Sequence, residues 1–265
     1  MVDCKKLESF DFWKRYDPIS LSEMGSVKLM NRIDTKFLMK ESDLLKLLDS
    51  ASGNYRVQVV DGKKIASYDS LYFDTFNLEM FTRHHDRQLK RNKIRTRRYV
   101  DSDISFLEVK IKNNKGRTKK KRIQIENSLF ENFKSSSEAI NFLEGIQKYK
   151  SQELIPQLHT VFNRITLVDK QKTERLTIDM NLRFINVKSG VNKELGPLCI
   201  VELKQDGLVH SKMKDLLLQM RVQQYKISKY CIGISMTDSS AKYNRFKKKL
   251  IYIKKLTELQ SGSQN

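Results

Sequence analysis

Charged side chains recur two residues apart on at least five separate segments of this chain: Arg95 and Arg97, Glu108 and Lys110, Lys120 and Arg122, Arg175 with Thr177 and Asp179, and Glu202 and Lys204. Successive side chains of a β-strand point to opposite faces, so residues two apart share a face. Their neighbours on the other face are often apolar: Ile94, Leu107, Val109, Ile111, Leu176, Ile178, Val201 and Leu203. Two architectures satisfy this pattern. In an ordinary sheet the apolar face is core and the charged face meets water. In a closed antiparallel barrel wrapped by helices, the apolar face packs outward and the charges line a lumen. Glu mixed with Lys and Arg, repeated strand after strand, favours the lumen.

The charge balance agrees. Of 265 residues, 51 are Lys or Arg and 31 Asp or Glu, a net charge of +20 that predicts an anionic partner. Residues 83–122 alone hold 16 of the Lys and Arg, twice their proportional share, against four acids. With 39% hydrophobic residues, 13 Phe and 10 Tyr, the chain has material for a core, which excludes disorder throughout. Many cations converging without a ligand repel one another, so a lumen of this kind implies a multiply charged anion. Guanidinium forks bind phosphate oxygens bidentately, Lys supplies point charge, and Glu residues would hold a divalent metal bridging those oxygens. Nucleic-acid binding would instead place basic and aromatic residues on an outer face, and interior carboxylates oppose it.

Other chemistries lack their motifs. There is no GxxxxGKS/T loop, no HExxH, and no Cys/His zinc spacing. No Ser/His/Asp or Cys/His nucleophile arrangement stands out. Of the four His, only His84 and His85 fall in the basic cluster, where a surface or capping role competes with a functional one. A site without a side-chain nucleophile fits phosphoryl transfer by positioning and charge stabilisation. Cys4, Cys199 and Cys231 form neither a CxxC pair nor an even set, so reduced thiols in a cytosolic compartment are expected, with Cys4 the exposed one. No apolar run approaches the roughly 18 residues of a spanning helix, and the first ten residues hold no secretory apolar region. The expected location is cytoplasmic.

The periodicities predict helices over 20–31, 41–50, 135–148 and 212–221. Strands are predicted over 33–39, 55–60, 65–73, 93–100, 104–112, 117–126, 159–168, 175–187 and 198–204, with Asn113-Asn-Lys-Gly116 as a hairpin turn. Few Gly and Pro interrupt them, so residues 1–238 read as one domain. Residues 239–265 read as a separate basic tail, amphipathic over 244–256. A solvated helix is the plainer reading of that tail, and contact with an anionic membrane or a partner the sharper one. Phe106-Leu-Glu-Val-Lys110 also echoes Ile200-Val-Glu-Leu-Lys204, each followed by a Gly-containing turn.

The ordered set of motifs resembles the VTC-type polyphosphate polymerase domain, a branch of the triphosphate tunnel metalloenzyme (CYTH-like) superfamily. The motifs are Arg32-Ile-Asp-Thr-Lys36-Phe; Leu71-Tyr-Phe-Asp74-Thr with Phe81 and His84; Lys93-Ile-Arg95-Thr-Arg97-Arg-Tyr99; Phe106-Leu-Glu-Val-Lys110; Arg117-Thr-Lys-Lys120-Lys-Arg122; Asn163-Arg164; Arg175-Leu-Thr-Ile-Asp179; Val201-Glu202-Leu-Lys204; and Tyr225-Lys226-Ile-Ser228-Lys229-Tyr230. The resemblance implies an α+β fold, an antiparallel eight-stranded β-barrel tunnel with flanking helices. It implies ATP and inorganic polyphosphate as partners, Mn2+ or Mg2+ as cofactor with Glu202 as its ligand, and γ-phosphoryl transfer to a growing chain. Lys36, Arg95, Arg97, Lys204 and Lys229 would be catalytic. His84, Lys110, Lys120, Arg122, Arg164, Arg175, Lys226 and Ser228 would bind phosphate, with Lys119 and Lys121 competing with Lys120 for register. Association with a membrane partner protein, at the inner face of the membrane, is a further implication. Where hydrolytic tunnel enzymes carry Glu-x-Glu-x-Lys, this chain has Arg32-x-Asp34-x-Lys36, so transfer is expected over hydrolysis. A tunnel-fold triphosphatase or nucleotide hydrolase, and a non-catalytic polyphosphate or nucleic-acid binding module, are the alternatives.

Overall fold

Hairpin follows hairpin along most of the chain, as the alternation of charged and apolar residues requires. The structure is a computed structural model and describes residues 1–24, 32–115, 117–207 and 209–261. In order its elements are α1 (Cys4–Glu8), β1 (Pro18–Ile19), α2 (Leu21–Met24), β2 (Arg32–Lys40), α3 (Leu44–Ala51), β3 (Tyr55–Gln58), β4 (Ile65–Asp74), α4 (Glu79–His85), β5 (Arg91–Tyr99), β6 (Ile104–Lys112), β7 (Thr118–Ile125), α5 (Ser137–Glu144), β8 (Ile155–Asp169), β9 (Glu174–Asn186), β10 (Asn192–Glu194), β11 (Leu198–Asp206), α6 (Lys212–Gln219), α7 (Lys229–Thr237) and α8 (Lys247–Ser261).

Eight long strands form one antiparallel sheet in the order β2-β11-β9-β8-β4-β5-β6-β7, and the sheet curls into a tunnel flanked by helices. Full closure was the expectation, but among the described residues no hydrogen-bonded ladder joins β7 to β2. The free edge of β2 is met instead by the segment before α7. Tyr225 N donates to Lys36 O at 2.6 Å, and Gln224 forms a bridge with Phe37. A bare strand edge is thereby covered without another strand.

The apolar faces of the strands point outward into cores beneath the helices. Leu176, Ile178, Val201 and Leu203 pack with Leu44, Leu47 and Leu48 of α3 and with Met213 and Leu217 of α6. Leu71, Ile94, Leu107 and Val109 pack with Ala139 and Leu143 of α5 and with Phe133. The inner face is itself divided. Beyond the charged rows its residues turn apolar, and Leu38, Leu158, Phe184 and Ile200 pack against Tyr230 and Ile234 of α7. That helix stops one end of the lumen.

Helices α1, α4 and α7 lie outside the predicted helices, and α5 departs in length. Helix α7 is buried nearly all round, so its sequence carries no polar stripe, and the 3.6-residue period has nothing to mark. Helix α4 is a short turn whose start is fixed by Asp74, which accepts from Met80 N and Phe81 N, both at 2.9 Å. Helix α5 is shorter than predicted because Ser136 Oγ caps it at Ala139 N and Gly145 ends it. Of the helix expected over 20–31, Leu21–Met24 is helical and the rest lies outside the described residues, as does Gly116 of the hairpin turn. All three cysteines are free; Cys199 and Cys231 are buried and Cys4 is half-buried.

Candidate functional site

Strand register stacks the charged pairs into rows across the lumen. One row runs Thr177–Glu202–Lys36 and the next Arg175–Lys204–Asp34. On the opposite wall the rows are Arg95–Glu108–Arg122 and Lys93–Lys110–Lys120. Together with Arg32, Arg97, Arg164 and Lys229 they line a cavity of about 630 Å³ that bears, among the described residues, twelve cationic and four acidic side chains. Lys120, rather than Lys119 or Lys121, faces this space.

Each carboxylate in the lumen is held by cations. Glu108 accepts from Arg95 Nε at 2.8 Å and Nη2 at 2.6 Å, and also from Lys120 Nζ. Glu202 lies 3.4 Å from Lys36 Nζ and 3.0 Å from Lys204 Nζ. Asp34 pairs with Arg32 at 2.7 Å, and Asp101 with Lys63 at 2.7 Å. Just behind the wall, Asp179 takes both arms of Arg164, the second at 2.8 Å, and the ammonium of Lys229. Burial alone would raise the carboxyls of Glu108, Glu202 and Asp179, yet Arg95, Arg97 and Lys120 hold Glu108 far below the usual carboxylate range. Lys36 and Lys204 do the same to Glu202, and Arg164 and Lys229 to Asp179.

The cations carry the opposite strain. Burial brings Lys229 down to about 8, and burial with Lys36 and Lys110 nearby brings Lys93 down to about 8. Arg97 stacks on Tyr68 and Phe162, with ring centroids 5.4 and 5.7 Å away, and donates to Ser70 Oγ at 3.0 Å. Arg122 lies 4.4 Å over Phe106 at the more exposed rim. Arg175 Nε and Thr177 Oγ1, on the wall of the cavity, are buried with no hydrogen-bond partner among the described residues. Buried donors left unpaired are costly, and an anion in the lumen would satisfy them.

The lumen thus gathers Lys36, Arg95, Arg97, Lys110, Lys120, Arg122, Arg164, Arg175, Glu202, Lys204, Ser228 and Lys229. His84 and Lys226 are placed elsewhere. Both line an adjoining space, where His84 Nδ1 lies 2.9 Å from Cys231 Sγ. Burial and the cations around it, led by Lys93 and Arg91, hold the His84 imidazole neutral. Lys93 was not among the expected site residues. The signal for it was present, since Lys93, Arg95 and Arg97 continue one alternation. The sequence places Asp179 on a strand face with Arg175 and Thr177, but nothing in one strand's sequence shows that it holds Arg164 and Lys229 from two other elements.

The donor set permits a divalent metal in one way. Among the described residues no three His, Cys, Asp or Glu side chains converge as a cage. Glu202 can supply one oxygen ligand, the remainder coming from phosphate and water, as Mg2+ sites commonly do. The residues fit a bridging ion and not a protein-only one.

A curled antiparallel tunnel lined by cations is the triphosphate tunnel architecture. The chain belongs to the VTC domain family, whose model matches residues 31–237. No curated protein sequence matches it significantly. Among solved structures, a putative adenylyl cyclase from Hippeastrum, described as having a dominant triphosphatase activity, is similar at a TM-score of 0.50 and 14% identity, over 78% of this chain and 96% of that one. A putative adenylate cyclase from Vibrio parahaemolyticus is similar at 0.46 and 11%, over 78% and 99%. Among the described residues no helix is long and apolar enough to cross a membrane.

Proposed function

We propose that this protein transfers the γ-phosphoryl group of ATP to the end of an inorganic polyphosphate chain held in the tunnel. Membership of the VTC family supports the reading. The observation that carries it is the state of the carboxylates: all four that line the cavity are already paired with cations. Two of them, Glu108 and Glu202, are held far below the usual carboxylate range, and such a carboxylate is a poor base for activating water. A terminal phosphate needs no such base, because its attacking oxygen is already ionised. In the transfer the bond from that oxygen to the γ-phosphorus forms as the bond to the β-phosphate oxygen breaks, and ADP leaves.

Lys36, Arg95, Arg97, Lys204 and Lys229 surround the transferring group and offset its charge without reorganising. Lys110, Lys120, Arg122, Arg164 and Arg175 grip the phosphates on either side, and Ser228 opens helix α7 toward them. Lys226 and His84 stand beside that opening. Glu202 would hold Mn2+ or Mg2+, which would supply further positive charge to the phosphates. Residues 1–238 are the proposed catalytic domain.

The test is incubation of the purified protein with ATP and manganese, with products separated by gel. ADP together with an anionic polymer that an exopolyphosphatase destroys is the expected result. Free phosphate without polymer would replace transfer by hydrolysis, and no turnover would leave a binding module. Glu202→Ala is expected to abolish metal-dependent turnover while the fold persists. Unchanged turnover in that variant would remove Glu202 as the ligand.

A further inference from the structure

A second cavity, of about 280 Å³, adjoins the tunnel at the seam where residues 224–227 cover the edge of β2. Asp34, Lys36, Lys93 and Ser228 line both spaces, so the two meet at these side chains, where Lys93 Nζ donates to Ser228 Oγ at 2.8 Å and Lys36 Nζ to Ile227 O at 3.4 Å. The rest of its charged wall is cationic, from Arg91 at the start of β5, Lys226 on the seam and Lys249 on α8. The nearby carboxylates are engaged elsewhere, Asp34 with Arg32 and Glu202 with Lys36 and Lys204. Among the described residues no carboxylate pairs with Arg91, Lys93, Lys226 or Lys249, whose hydrogen bonds go to neutral oxygens: Arg91 to Gln88 O, Lys93 to Ser228 Oγ and Lys249 to Lys226 O. Five cations and one carboxylate, Asp34, line the cavity among the described residues, and Asp34 is held by Arg32; the excess cations repel one another, and a polyanion relieves that repulsion.

The wall of this cavity includes Phe246 and Lys249, which lie beyond residue 237, where the family match ends. The expectation of a separate tail does not describe them. Phe246 packs on Phe81 with ring centroids 5.7 Å apart, Tyr252 stacks on Tyr225 at 4.6 Å, and Lys249 Nζ donates to Lys226 O. Helix α8 is fixed to the same segment that covers the edge of β2.

We propose that this cavity is a subsite for the distal phosphates of an inorganic polyphosphate chain, entered from the tunnel past Lys36 and Lys93 and completed by the C-terminal helix. The inference rests on the polymerase reading for the presence of such a chain. It adds a chain-length preference: a triphosphate is held in the tunnel alone, whereas a long chain is held in both spaces.

Equilibrium binding to the full chain without divalent metal, so that no turnover occurs, tests this with long-chain polyphosphate, tripolyphosphate and ATP as probes. Arg91→Ala and Lys249→Ala each remove one charge-assisted contact and are expected to weaken long-chain binding by about tenfold. Their effect on tripolyphosphate and ATP is expected to be several-fold smaller. Arg91 lies on β5, so its variant reads the cavity even where Lys249→Ala loosens α8. Equal losses for all three probes, or no loss for the long chain, would overturn the subsite. A protein that makes no polymer from ATP yet shows this selective loss retains the subsite and loses the polymerase reading; polymer synthesis with no selective loss does the reverse.

Discussion

Replacing Glu108 by Gln tests whether the tunnel carboxylates stand where phosphate oxygens belong. The side chain is 2% exposed and bonded to Arg95 and Lys120, so the substitution keeps its volume and one acceptor but deprives two cations of their counter-charge. Breaking a fully buried pair costs about 3–5 kcal/mol. Arg95 is largely buried, but Lys120 is 45% exposed and partly screened, which brings the expectation to about 2–4 kcal/mol. For a chain of this size that lowers the melting temperature by about 4–8 °C. Thermal unfolding with and without saturating tripolyphosphate is the assay. Without ligand the variant melts lower; with ligand the gap narrows by about 1–2 kcal/mol, because phosphate takes up the freed cations and no longer meets the glutamate's charge. A gap that is unchanged or wider in tripolyphosphate would show that Glu108 does not hold a phosphate position.

Lys93 and Lys229, brought down to about 8 from an unfolded value near 10.5, make stability and affinity move in opposite directions with pH. Between about pH 8 and 10.5 the unfolded chain binds more protons than the folded one, so ligand-free stability rises with pH there, while tripolyphosphate affinity falls as the ammonium groups discharge. Denaturant melts and titrations across that range check it, and changes of the same sign would contradict it. Gly233 on α7 faces the sheet, and a Cβ there would stand 2.8 Å from Phe184 Cδ1 and nearer still to Leu158. Gly233→Ala is therefore expected to cost about 1–3 kcal/mol in denaturant melts, and to weaken tripolyphosphate binding through the displaced Ser228 and Lys229. Arg97→Lys keeps the charge but loses the planar stack on Tyr68 and Phe162, so tripolyphosphate affinity, measured by calorimetry, is expected to fall by about tenfold.

The strands and their facing were legible because one rule, a period of two, governs both. Reading Arg95 with Arg97, or Glu202 with Lys204, put them on one face without knowledge of the partner strand. Partner choice was not legible. That Glu108 lies between Arg95 and Lys120 depends on the register of three strands, which hairpin lengths and side-chain packing set together. Helix α7 escaped notice because burial on nearly every side erases amphipathicity. The C-terminal segment misled for a related reason: its exposed lysines resemble a solvated helix, while Phe246 and Ile253, which anchor it, are buried in contacts with residues far away in sequence.

The echo between residues 106–110 and 200–204 has a physical meaning in the tunnel. Each segment sets a glutamate between two cations, the buried Glu108 with Arg95 and Lys120, and the half-buried Glu202 with Lys36 and Lys204. The two are not equivalent. Both cations on Glu202 are lysines, each a single point charge on a flexible stem that can turn toward a phosphate and release the carboxylate. Glu108 is gripped by the fixed fork of Arg95, whose third nitrogen, Nη1, is tied to Tyr72 at 2.8 Å. The carboxylate that can be freed when phosphate arrives is therefore Glu202, and the one that stays paired is Glu108. On the proposed reading, this asymmetry favours Glu202 as the residue that would hold a divalent ion, and leaves Glu108 to fix the position of Arg95.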